Sequence, residues 1–414
     1  MHAFAISPCF SAGAAAAAAV GGVLLGCTIV FKTGATGEVL GCSGTVRGLL
    51  LGKDALRNIA FSVGMAVAGA AAAATYGGFE GMPEADAAVL LRLGIGGAFV
   101  GFGTALGNGC TSGHGLTGLA RLSLRSWVAV PTFMAVAMAT ATALGTASAM
   151  PPSSKAAPDL ASVHDGAALA ACSAGALLVT ALAAMGVVGA TEEGAPYGLK
   201  VAFELISGVT FGLGLAISTM VRPSKVASFL DFGSGAWDPS LAFVMCGGLL
   251  VTFPFYQIAE RRGKGALLGG GLALPPLTKP VDRSLVAGAA LFGIGWGTCG
   301  VCPGPLLVLF GAKPASIQVG VTLIGMLAGM CVWIAYDRLS KAAAPAIEAS
   351  REDGCKTDDD TASTAARTST EGSNEPVSFF DKVAGLVTGR ASRSPPPSPE
   401  TKVRLLDSNA DSNA

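Results

Sequence analysis

The sequence predicts an all-α polytopic membrane protein, with about nine transmembrane helices, re-entrant half-helices between them and two inverted repeats. Three observations lead there. Of 414 residues, 51% are hydrophobic and only 13% charged, about half the charged fraction usual for a soluble domain. The charges are also unevenly placed, because 21 of the 54 fall in residues 341–414 and leave the rest of the chain poorer still. Finally, a Gly-rich motif ending in a cysteine occurs twice, 192 residues apart.

Apolar windows place spans near 10–31, 54–76, 88–106, 123–149, 166–190, 197–220, 238–258, 282–299 and 314–338. No Lys or Arg precedes Lys32, so the first window lacks the basic flank of a signal peptide and reads as a mature helix. Between the spans lie four Gly-broken stretches too short to cross, 34–50, 107–120, 222–234 and 300–312. Irregular backbone at membrane depth survives only where protein or a cavity surrounds it, so these are candidate half-helices. From 341 onward the chain is acidic, Ser/Thr-rich and then Pro-rich, a composition expected to stay disordered.

Gly101-Phe-Gly103 followed by Cys110 matches Gly293-Ile-Gly295 followed by Cys302, nine residues from first Gly to Cys in both. A first transmembrane repeat over 10–150 and a second over 197–338, joined by a linking helix at 166–190, accommodate that offset. Five spans separate equivalent helices, and an odd number turns the second repeat upside down, as in many transporters. Basic residues favour an outside N-terminus, twelve on the inner loops against five on the outer, which leaves the tail cytoplasmic.

Other classes fall on counts. Net charge is zero with scattered basic residues, so no nucleic-acid footprint exists. The chain has no P-loop, and its three His are too dispersed for a histidine-rich metal or haem site. Neither a cofactor nor an enzymatic activity is expected. The ten Cys, mostly in apolar segments, do not form a secreted disulfide framework.

The densest chemical signal is Gly107-Asn-Gly-Cys-Thr-Ser-Gly-His-Gly115. Thr111 and Ser112 suit an N-cap, where free amides and the helix dipole attract an anion, with Cys110 and Asn108 beside it. His114 is read as a donor to the ligand, a proton carrier or a structural hydrogen bonder. Cys302-Pro-Gly-Pro305 starts a half-helix beside a second thiol, and Gly41-Cys42-Ser-Gly44 repeats the theme. Taken singly, each also reads as helix packing through small residues. Arg222 and Lys225, at the outer end of the sixth span, concentrate anions by field focusing or are ordinary membrane-surface charges. Cys299-Gly-Val-Cys302 spells a dithiol motif without the βαβ setting such motifs use.

The run from Gly101 to Ser126 resembles the signature of the YeeE/YedE family of sulfur transport membrane proteins. Two more stretches are similar to it, Gly212 to Val226 continuing to Phe229-Leu-Asp231 and Trp237 to Val244, and Gly293 to Pro305. The resemblance covers roughly 15–338. It implies thiosulfate import through a pore in which Cys110 and Cys302, with Cys42 as a weaker third, hand the anion along. It also implies a TusA-type sulfurtransferase as a cytoplasmic partner, and a polar tail of this kind is compatible with a plasma membrane. The rival functions are a membrane thiol-redox enzyme using Cys299 and Cys302, and a channel for another small anion. The long 151–165 connection, the 252–282 insertion and the tail depart from the family pattern.

Overall fold

The computed structural model describes residues 12–76, 82–150, 196–235, 237–262, 266, 268 and 271–355. The expected fifth span at 166–190 and the tail beyond 355 lie outside the described residues. Among those described, no strand forms beyond isolated bridges such as Glu38 with Ala273.

The first half comprises α1 (Ala12–Thr36), the short α2 (Cys42–Leu50), α3 (Ala55–Tyr76), α4 (Ala87–Leu106), a π-helix (Thr111–Gly118) and α5 (Leu124–Leu144). The second comprises α6 (Tyr197–Ile217), the short α7 (Pro223–Leu230), α8 (Ser240–Arg262), α9 (Arg283–Cys299), the short α10 (Pro303–Ala312) and α11 (Ile317–Cys355). A short helix therefore forms at each of the four Gly-broken stretches. Among the described residues, eight helices are long and apolar enough to cross a bilayer, α9 and α10 together making one of them. Helix α11 carries on past 341 to Cys355, into the stretch expected to be tail, in keeping with the alanines at 342–344, 346 and 349, the best helix formers.

The helix starts share one device in both halves. Asp86 Oδ1 accepts the Val89 amide at 2.7 Å to open α4, and Asp282 Oδ1 accepts the Leu285 amide at 2.8 Å to open α9. Each satisfies an orphan donor of the first turn. Helix α9 stops at Gly300, whose left-handed φ of 67° lets the Gly300 amide bond back to the Trp296 carbonyl at 2.8 Å.

Packing repeats as well. Helix α1 packs on α8 and α6 on α3; α4 packs on α11 and α9 on α5; the π-helix packs on α8 and α10 on α3. Mapping the first half onto the second, element by element, converts the first partner of each couple into the second. Helices α4 and α9, equivalent in the two halves, pack directly on each other. Small residues permit these approaches: a Cβ on Gly101 would overlap the Met326 carbonyl of α11, and one on Gly97 the Thr322 carbonyl. On α9, a Cβ on Gly293 would come within 2.7 Å of the Phe133 carbonyl of α5. Without water to drive helix association, such close van der Waals packing is what holds spans together.

The periphery is apolar. Leu56, Ile59, Val63 and Val67 make an exposed stripe down α3, and Ile324, Val332 and Leu339 do the same on α11. Water would penalise faces of this kind, whereas hydrocarbon solvates them. The chain is an all-α polytopic integral membrane protein.

Candidate functional site

Three of the short helices start at a thiol. Cys42 is the first residue of α2, Cys110 is the N-cap of the π-helix and Cys302 the N-cap of α10, where Pro303 takes the first helical position. At none of these three starts does the N-cap residue's own side chain bond back to the first turn. First-turn amides left free of a cap make a partly positive end, suited to an anion. The π-helix is itself unusual: its wide turns, with Leu119 N–H bonded to the His114 carbonyl at 2.9 Å, are a geometry common at functional sites.

The thiols converge. Cys42, Cys110 and Cys302, all 4% exposed or less, line one cavity of about 20 Å³. That volume holds about one water. Two neighbouring hydroxyls knit the thiols together. Ser112 Oγ lies 3.3 Å from Cys110 Sγ and accepts the Cys42 amide at 3.3 Å, while Thr111 Oγ1 donates to Cys302 Sγ at 3.7 Å. Leu25, Phe211, Leu215, Met220 and Met245 supply apolar parts of the wall, and among the described residues no charged side chain lines it.

A larger polar vestibule of about 480 Å³ adjoins this cavity. The two share elements: Gly41, Ser43 and Gly44 of the α2 region face the vestibule while Cys42 faces the thiol cavity. Likewise Gly113 and His114 face the vestibule, and Thr111 and Ser112 the cavity. Vestibule charges are Lys32, Arg47, Lys53, Arg57, Arg121, Arg125 and Lys279 against Glu38, Asp54 and Glu204, seven positive to three negative. Arg121 and Arg125 are in turn paired with Glu260 and Asp282, and the positive excess that remains favours anions in the cleft.

Asn108 and His114 belong to the vestibule rather than the thiol cavity. Asn108 sits at φ 58°, a left-handed turn that Asn tolerates well, just after α4 ends. Both His114 ring nitrogens are engaged: Nδ1 lies 3.0 Å from Ser126 Oγ, and Nε2 lies 3.3 Å from the Gly107 carbonyl. A carbonyl can only accept, so Nε2 carries the proton and Nδ1 receives the Ser126 hydroxyl. The imidazole ties the 107–114 loop to α5.

Arg222 and Lys225 line neither space. Both are 7% exposed, and Lys225 Nζ pairs with Asp238 Oδ2 at 2.7 Å. Cys299 also stands apart: its thiol donates to the Val301 carbonyl at 3.5 Å, and its Cβ faces Gly96 of α4. Cys299 and Cys302 are both free thiols. Among the described residues, no three His, Cys, Asp or Glu side chains are grouped to hold a metal ion.

One feature of the vestibule escaped the reading of motifs. Glu204 of α6, 3% exposed, accepts Lys32 Nζ at 2.7 Å and Arg57 Nη2 at 2.7 Å. Arg57 in turn grips Glu38 through both terminal nitrogens, at 2.6 and 2.9 Å. The network joins α1, α3 and α6 to the loop that sets the start of α2. A carboxylate inside an apolar span was its signal, since such residues are costly unless paired.

Comparison with known families bears on the same segments. Residues 3–139 match a family model described as sulphur transport, and residues 199–344 match a family of unknown function, DUF6691. Two proteins of Xylella fastidiosa, each described as a probable transporter, are similar to the chain. One, from strain Temecula1, is 42% identical over 141 residues, 34% of this chain and 90% of the relative. The other, from strain 9a5c, is 42% identical over 131 residues, 31% of this chain and 88% of the relative. No solved structure matches the chain. With its signature residues and the match to most of these relatives' length, the chain belongs to the YeeE/YedE family of sulphur-transport membrane proteins.

Proposed function

We propose that the protein is a transporter that imports thiosulfate, or a closely related inorganic sulfur anion, by relay between Cys302, Cys110 and Cys42. The single observation that carries this reading is the meeting of three buried thiols on one cavity at the floor of an electropositive vestibule. Thiosulfate is a dianion with a soft terminal sulfur. A fixed cation in so dry a constriction would hold it too tightly, and conduction needs successive weak sites. Thiols are weak S–H donors, and each here stands at a helix start carrying a partial positive charge of up to about half a unit. The hydroxyls of Thr111 and Ser112 bridge the steps. The cavity holds about one water-sized guest, so passage requires movement of the flexible Met220 and Met245 side chains that wall it.

The two halves act as inverted repeats with the thiol cavity at their interface, a reading supported by the repeated packing of their elements. The vestibule faces the cytoplasm and the N-terminus lies outside, since Lys32, Arg47, Arg57, Arg121 and Arg125 gather on the vestibule. Arg222 and Lys225 belong to the outer, access side. The membrane is the plasma membrane, and a sulfurtransferase of the TusA type receives the product at the vestibule.

Uptake of radiolabelled thiosulfate into cells lacking their own importers tests the proposal, with surface expression of each variant measured alongside. Wild type takes up the label, and Cys110→Ala and Cys302→Ala do not. Normal uptake by both variants defeats the relay. No uptake by well-expressed wild type defeats the choice of substrate and turns attention to another small anion.

A further inference from the structure

Five cationic side chains are buried among the described residues, Lys32, Arg57, Arg121, Arg222 and Lys225. Four have carboxylate partners: Lys32 and Arg57 share Glu204, Arg121 holds Glu260 and Lys225 holds Asp238. Arg222 has none. Its Nε is buried without a hydrogen-bond partner, and no described residue receives a hydrogen bond or ion pair from its side chain. An uncompensated buried charge is strongly unfavourable, so a guanidinium kept in this state awaits an anion from outside the chain.

Its position fits that role. Arg222 is the N-cap of α7, which has Pro223 at its first position and no side-chain cap. In the order of elements, α7 is the second half's counterpart of α2, which begins at Cys42. Met220, two residues earlier, lines the thiol cavity, and the Pro223 carbonyl lies against Gly300, two residues before Cys302. The vestibule takes no residue from this stretch. Arg222 thus stands next to the thiol cavity and apart from the vestibule. The nearby Lys225 does not duplicate it, because Asp238 neutralises that ammonium and is itself fixed by the Ser240 amide and hydroxyl.

We propose that Arg222 forms an anion station ahead of the thiols that selects tetrahedral divalent oxyanions by charge and leaves the choice among them to the cysteines. The proposal rests on the transport reading above and adds a selection order to it. A guanidinium donates to oxyanion oxygens without regard to a terminal sulfur, so sulfate binds at Arg222 as thiosulfate does. Sulfate has no soft sulfur to offer the thiols, and it stops there as a competitor that is not carried. One guanidinium offsets half of a dianion's charge, and thiosulfate remains free to move on.

The test uses the purified full-length protein, titrated with sodium sulfate at constant ionic strength and followed by thermal unfolding, together with sulfate inhibition of thiosulfate uptake in cells. Wild type and Cys110→Ala are stabilised by sulfate. In Arg222→Gln the half-effective sulfate concentration rises about tenfold or more, the scale of one lost charged hydrogen bond, and Arg222→Lys falls between. Without added anions, Arg222→Gln unfolds at or above the wild-type temperature, because an unpaired charge has gone. Equal sulfate stabilisation of Arg222→Gln and wild type overturns the station, as does no sulfate effect on wild type. A lower unfolding temperature of the anion-free variant also overturns it, since Arg222 then has a structural partner. If wild type carries no thiosulfate while the sulfate effect still requires Arg222, the transport reading falls and the anion site stands.

Discussion

Glu204→Gln probes the vestibule network most sharply. The Glu204 carboxylate is 3% exposed and receives Lys32 at 2.7 Å and Arg57 at 2.7 Å. Arg57 keeps Glu38 after the change, but Lys32, 7% exposed, loses its counter-charge and keeps only neutral neighbours, the new carboxamide and the face of Phe61 at 4.9 Å. Losing one partner of a buried pair and stranding the other charge costs about 3–5 kcal/mol. For a chain of this size that loss lowers the unfolding midpoint by about 3–6 °C. The assay is thermal unfolding of the purified protein in one detergent, for wild type, Glu204→Gln, Lys32→Met and the double variant. Removing both charges leaves no stranded ammonium, so the double variant recovers most of the loss, and the cycle isolates the pair. A Glu204→Gln midpoint within 1–2 °C of wild type, against the loss expected from a stranded buried charge, refutes the reasoning. Glu38→Gln is the internal contrast: Glu38 is 43% exposed, and its loss costs under about 1 kcal/mol after solvent screening.

Three further outcomes are expected. Ser112→Ala removes the acceptor of the Cys42 amide and the neighbour of Cys110; thiosulfate uptake falls about fivefold to thirtyfold at unchanged expression, the equivalent of 1–2 kcal/mol for one hydrogen bond in a buried network. Cys299→Ser leaves uptake within about twofold of wild type, because that buried thiol does not line the cavity and its bond to the Val301 carbonyl is one a hydroxyl also makes; abolished uptake would instead favour dithiol chemistry. Gly101→Val drives a side chain into the Met326 carbonyl, so folded yield in detergent falls sharply, by the several kcal/mol of an overpacked core, whereas Gly44→Ala, with open space at its Cβ, leaves yield unchanged.

Much of the architecture was legible before any coordinates. Helix α4 was expected at 88–106 and runs from 87 to 106; α9 was expected at 282–299 and runs from 283 to 299. Long apolar windows are local signals, and a bilayer leaves a backbone few options besides a helix. The Gly-Cys repeat located Cys110 and Cys302, and Gly41-Cys42-Ser-Gly44 the third thiol, because each depends on a short run of small residues at a helix start.

What tertiary structure alone decided was which side chains share a space. Cys42, Cys110 and Cys302 lie 68 and 192 residues apart, and nothing local shows that their helix starts meet on one cavity. Adjacent residues separate just as sharply: Thr111 and Ser112 turn to the thiols while Gly113 and His114 turn to the vestibule. The charges divide the same way. Arg222 and Lys225 look alike in the chain, three residues apart, yet one is neutralised by Asp238 and the other has no partner. Periodicity and composition are properties of a segment and survive in its sequence. Charge compensation is a property of the space between segments, set when distant helices pack and water is excluded.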